Sequence, residues 1–218
     1  MKEETTITEM VIPRTLDASD ASEFTTMVDL GNMQAALDAG IDDLAEPPDA
    51  LLPSWLDRTD RTHRGYVARR SGEIVGIASF AMANQAGTVT AETEITVLPA
   101  NWGAGVEQAL MDRVEQEARA QGARTLQTWT LHRAASSDRM LIPATGWGSV
   151  PMTALSELLL SNGFTMEQVE RNSVLPLGDS LALAERMLAD ASVFAGEEYR
   201  PVSWTLPTPE HFQDGYAT

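Results

Sequence analysis

Cysteine is absent from all 218 residues. That excludes a disulfide framework and a thiolate metal site, and a reducing, cytoplasmic location is expected. Basic residues are also scarce. Fifteen Lys and Arg stand against 32 Asp and Glu, a net charge of −17. Such a field opposes nucleic acid, an anionic membrane surface or any other polyanion as main partner. Long apolar runs are missing too: the richest, Ile74 to Ala83, is too short to span a bilayer and is interrupted by Gly76. The first residues, Met1 to Thr6, are charged and no apolar stretch follows, so no signal peptide is expected. Histidine occurs three times, at His63, His132 and His211, with no His, Asp or Glu spacing that suggests a metal site.

What is present suffices for one packed core, since 43% of residues are hydrophobic. Thr6 to Ile12 reads as a first strand ended by Pro13. Asp17 and Ser19 can cap a helix bearing Phe24, Met27, Val28, Met33 and Leu37, closed near Gly40. A short helical turn with Leu51, Leu52, Trp55 and Leu56 lies between prolines. Gly65 to Arg70 and Glu73 to Met82, joined by Ser71-Gly72, read as a hairpin. The second arm is almost continuously apolar, which places it centrally with both faces covered.

Thr88 to Val97 alternates polar and apolar residues, as a strand with one wet face does. A helix follows from Gly105, with Val106, Leu110, Val114 and Ala118 at helical spacing and Gly122 as its stop. Arg124 to Leu131 reads as a strand, His132 to Pro151 as a long loop, and Thr153 to Ser161 as a short helix. Phe164 to Leu177 reads as extended, Ser180 to Phe194 as a last helix, and Tyr199 to Leu206 as a terminal strand. The order is that of an α+β protein with a mixed, mostly antiparallel sheet flanked by helices.

The stretch that points to chemistry is Val97-Leu98-Pro99-Ala100-Asn101-Trp102-Gly103-Ala104-Gly105-Val106. A strand feeds a Gly-rich turn that opens a helix. Such a turn can aim successive backbone N–H groups, aided by the helix dipole, at a phosphate. A plain tight connection would use the same residues.

This stretch resembles the acetyl-CoA motif of the GCN5-related N-acetyltransferase (GNAT) family. Ala118 to Gly122 supplies a similar helix ending, Gly72-Glu73-Ile74-Val75-Gly76 a similar hairpin, and Ser161-Asn162-Gly163-Phe164 a similar late turn. The resemblance runs from about Thr6 to Leu177. It implies a GNAT domain over 1–177 and an appendage of helix plus strand over 178–218. The implied activity is direct transfer of acetyl from acetyl-CoA to the amine of a small molecule. The alternative is a degenerate half of a tandem protein. Val97, Gly103, Ala104, Gly105 and Val106 would face the acyl donor, mainly through backbone atoms. The Tyr199–Leu206 strand resembles the start of a second module in bacterial tandem GNAT proteins of the mycothiol synthase type; it would belong to such a module, or pair with the chain's own sheet or a second copy.

Four positions depart from the family's pattern. Trp102 stands where Arg or Gln is usual, and Glu107 where Gly or Ala lets phosphate approach. A like charge ~5 Å away, at an effective dielectric near 20, opposes phosphate by roughly 3 kcal/mol. Leu159 stands where many relatives carry the acid tyrosine, and Ala91 where a base glutamate is common. The candidate bases that remain are Glu92 and Glu94, which alternation points away from Ala91. The ordinary role for both is a solvated or cross-strand-paired carboxylate. Trp147 would either line the acceptor pocket or anchor its loop.

Overall fold

The computed structural model describes residues 4–135, 137–173 and 181–216. Its contacts divide the chain into two units, Met1–Val169 and Glu170–Thr218.

The first unit is built on a five-stranded sheet in the order β1-β2-β3-β4-β5. The strands are β1 Thr6–Glu9, β2 Arg61–Arg70, β3 Glu73–Ala83, β4 Thr90–Val97 and β5 Thr125–Gln127. All neighbours are antiparallel except β4 and β5. The continuously apolar β3 is indeed central. Helix α3, Val106–Ala120, covers one face, and α1, Ser22–Ala39, with α2, Pro48–Leu56, covers the other. On the α3 face, Tyr66, Ala78, Phe80, Ala91, Ile95 and Val97 pack against Val106, Leu110, Met111 and Val114. On the opposite face Val67 and Ile77 pack against Phe24, Met27, Val28, Leu52 and Trp55. Val75 interrupts the alternation: Ala68 pairs with Gly76 and Arg69 with Ile74, so Val75 is bulged and turns to the α3 face.

Helix α3 is also held by charge. Glu117, 7% exposed, meets Arg64 Nε at 3.1 Å and Arg113 Nη1 at 3.2 Å, and accepts from Gln121 Nε2 at 2.9 Å. The Arg113 guanidinium lies 4.1 Å over the Tyr66 ring. Burial opposes ionisation of Glu117, but its polar neighbours and the two arginines outweigh that and hold its carboxyl below the ordinary value.

Several expectations need correction. Strand β2 begins at Arg61 rather than Gly65, because ion pairs from Arg61 to Glu92 and from Arg64 to Glu9 satisfy its charged start. β5 is three residues long rather than eight, since it pairs with β4 only over Thr90–Glu92. The loop after it carries a small antiparallel pair, β6 Met140–Leu141 and β7 Val150–Pro151, before helix α4, Ala154–Ser161. Residues 164–173 form no strand, and 174–177 lie outside the described residues, as does the expected boundary at 177/178.

The second unit contains α5, Ala182–Ala195, and α6, Glu210–Tyr216. The strand expected over Tyr199–Leu206 is not formed. Pro201 removes a ladder donor within it, and Trp204 stacks on Phe212 of α6 at 5.3 Å instead. No helix among the described residues is long and apolar enough to cross a membrane.

Candidate functional site

Between the sheet and the α1/α2 layer lies a cavity of about 390 Å³. Its origin is readable in the sheet register. One rung runs His63–Ala81–Glu92–Gln127 and the next runs Gly65–Ser79–Glu94. Small side chains at Ser79 and Ala81 leave a hollow, with His63 on one side and Glu92 and Glu94 on the other. Met27, Val28, Trp55, Glu46 and Trp129 complete the walls.

The two candidate glutamates share this cavity but differ in condition. Glu92 is held by a bidentate pair with Arg61, both contacts at 2.7 Å, and Gln127 Nε2 donates to it at 3.3 Å. Its lone pairs are engaged, which suits a structural role. No such arginine holds Glu94. Glu94 stays exposed to solvent, its carboxylate opening to the cavity. The protein packed around it, then the nearby charges of Glu46 and Glu92, push its carboxyl above the ordinary value, an effect that solvent screening weakens. Glu46 is fixed over the cavity by reciprocal bonds of its backbone with Asn32: Asn32 Nδ2 donates to Glu46 O at 2.8 Å, and Glu46 N to Asn32 Oδ1 at 3.0 Å.

His63 stacks on Trp55, ring centroids 5.2 Å apart. Burial first, then the charge of Arg61, lowers its pKa below 6.5, so the ring is neutral at pH 7. The other histidines lie elsewhere. His132 Nε2 sits 2.9 Å from Thr130 Oγ1, and His211 lies against Phe212 in the second unit. Trp147 is 82% exposed and does not line this cavity, whereas Trp129 does. Glu46, Trp55 and Trp129 arrive from three separate segments, so no local sequence pattern could have assembled them. Leu159 packs against the α3-side core and offers no acidic proton.

The Gly-rich turn lies at the far end of β4. Among the described residues β4 has no ladder partner on the β5 side beyond Glu92, so residues 93–97 border a gap. Thr93, Glu94 and Thr96 line the cavity from β4, and Trp129 and Leu131 line it from the segment after β5. A short 3₁₀ turn, Pro99–Asn101, leads to Gly103 at φ +79° and Gly105 at φ +89°, left-handed conformations that glycine tolerates. A Cβ at either would meet nothing within 4 Å, so the outer surface of the turn is open. Arg70 Nη2 buttresses it by donating to Ala104 O at 2.8 Å. The first N–H groups of α3 have no intrahelical acceptor and face that opening end.

One donor of this turn is already engaged by a side chain. Gly103 N donates to Glu107 Oε1 at 3.1 Å, while Glu107 Oε2 is buried without a partner. Trp102 packs toward the core and supplies no cationic donor. Among the described residues no cluster of His, Cys, Asp or Glu could hold a metal ion.

Residues 33–140, which span α1 to β6 and include both the turn and the gap, match the model of the acetyltransferase (GNAT) family. The chain carries a domain of that family. No curated protein sequence matches it. Solved structures similar to it include a predicted acetyltransferase from Clostridium acetobutylicum with acetyl-CoA, at 13% identity. That match covers 80% of this chain and 97% of that one, with a TM-score of 0.49. An aminoglycoside acetyltransferase from an uncultured soil metagenomic sample, in complex with sisomicin, gives the same four values. A tandem GNAT protein from the clavulanic acid biosynthesis pathway shares 17% identity over 73% of this chain and 43% of its own, with a TM-score of 0.49.

Proposed function

We propose that this chain transfers acetyl from acetyl-CoA to the amine of a small molecule that is cationic before transfer. The reading rests on the stretch of β4 beyond Glu92, unpaired on the β5 side, which runs from a cavity with acidic walls to the Gly-rich turn. Acetyl-CoA supplies an activated thioester. The backbone of Val97 and of the turn Gly103–Ala104–Gly105–Val106 would hold it, with its acyl end at the gap.

The acceptor occupies the cavity. Glu46 and Glu94, neither paired with a cation among the described residues, attract its ammonium group. Glu94 takes the amine's proton, and its raised pKa brings it nearer the pH at which a base works well. The freed amine attacks the carbonyl directly: the N–C bond forms and the C–S bond breaks. With Leu159 in place of a tyrosine, the departing thiolate takes its proton from solvent. No cysteine exists to carry an acyl intermediate.

The test is thiol release from acetyl-CoA in the presence of candidate acceptors of matched size. Aliphatic diamines and triamines are expected to give turnover well above that of amino acids, whose carboxylate meets Glu46 and Glu94. Equal rates for both would remove the acidic walls from the argument. Absence of thiol release with every amine would sink the transferase reading.

A further inference from the structure

Glu107 lies in the first turn of α3, where an acid is favoured by the helix dipole. That ordinary role asks nothing more than proximity to the helix end. Here the side chain does something further. It folds back four residues, and its Oε1 accepts the N–H of Gly103, the residue whose open conformation forms the turn. Its other oxygen, Oε2, is shielded from water and receives no hydrogen bond among the described residues. No cation pairs with it among the described residues; Arg70, beside the turn, is spent on Ala104 O and Thr5 Oγ1. One negative charge therefore sits in the turn, bound through a single donor and half satisfied.

On the donor assignment made above, we propose that Glu107 sets donor affinity, its carboxylate competing with the donor's pyrophosphate for the Gly103 N–H. A pyrophosphate oxygen reaching that N–H must displace Oε1, and it meets a like charge until Glu107 swings out. The occupant is attached to the chain, so its effective concentration is high and does not fall on dilution. The contact is also easily broken, because Oε2 holds nothing. Glu107 thus acts as a weak plug: it satisfies the turn at rest and leaves when a better-bonded anion arrives.

Calorimetric titration of the whole chain with coenzyme A tests this without any dependence on turnover. Glu107→Gln keeps the shape and removes the charge, and Glu107→Ala also removes the acceptor oxygen. Both are expected to tighten binding by about tenfold or more, the scale of one charge-assisted hydrogen bond regained and one repulsion removed. Inorganic pyrophosphate should follow the same order, which locates the gain at the turn. Wild type, Glu107→Gln and Glu107→Ala binding coenzyme A equally would overturn the competition and leave the donor assignment standing. No binding by any of the three, each shown folded by circular dichroism, would overturn both.

Discussion

Replacing Glu94 by Gln is expected to lower kcat by about 10²- to 10⁴-fold, the usual contribution of a positioned general base. The KM for acetyl-CoA should stay near the wild-type value, since Glu94 lies in the cavity and not at the turn. The size is the same within one methylene-free exchange of O for NH₂, so packing is preserved. The pH profile gives the sharper readout. The base works when ionised, and the protein packed around Glu94, then the charges of Glu46 and Glu92, raise its pKa above the ordinary glutamate value. The wild-type rate should therefore rise with pH through a step above the ordinary carboxylate range, and Glu94→Gln should lose that step. His63 provides the rival: neutral at pH 7, its lowered pKa places a step below 6.5. If His63→Asn abolished the step and Glu94→Gln kept it, the base would be the histidine. Glu92→Gln should act differently, because it releases Arg61 from its bidentate pair and disturbs the β2 end of the cavity.

Gly76→Val is expected to lower stability by about 1–3 kcal/mol, the range for overfilling a packed core. A Cβ there would stand 3.1 Å from Leu110 Cδ1, 3.1 Å from Thr96 O and 3.2 Å from Val106 Cγ1. Two of those atoms are side-chain tips on α3, in fully buried residues that must repack or carry the helix with them. The third is a β4 backbone oxygen, which cannot retreat without straining the β3–β4 ladder. Val106 opens α3, so the shift should also reach the Gly-rich turn and weaken coenzyme A binding. Gly31→Ala is the contrasting exchange. A Cβ on Gly31, inside α1, would touch nothing within 4 Å, and the gain in helix propensity is about 1 kcal/mol. Denaturant midpoints of both variants, with coenzyme A titrations, check the pair. A Gly76→Val protein as stable as wild type would show that α3 is free to move.

These expectations rest partly on sequence and partly on what only the fold reveals. The motif from Val97 to Val106 was readable because a Gly-x-Gly turn followed by a periodic helix is a local pattern. The central place of β3 was readable because both its faces are apolar. The charged start of β2 was not, since Arg61 and Arg64 read as solvent-facing until Glu92 and Glu9 are seen opposite them. The bulge at Val75 reverses alternation in the middle of a run with no polar residue to mark the change. Tyr199 to Leu206 carries alternating apolar residues, yet Pro201 and the stack of Trp204 on Phe212 take that segment out of strand conformation. Of the cavity, Glu92 and Glu94 were visible as neighbours on one strand. Glu46, His63 and Trp129 were not, because each comes from a different part of the chain and nothing local ties them together.

The early parting of β4 from β5 also bears on how fast backbone protons trade with solvent. Paired on one side only, β4 beyond Glu92 keeps alternate amides in its ladder with β3 and turns the others toward the gap. Deuterium uptake along Thr93 to Val97 should then be two-toned, slow and fast at every second residue, in a segment whose side chains are mostly buried. A ligand filling the gap would slow only the fast set, so the strand itself reports occupancy.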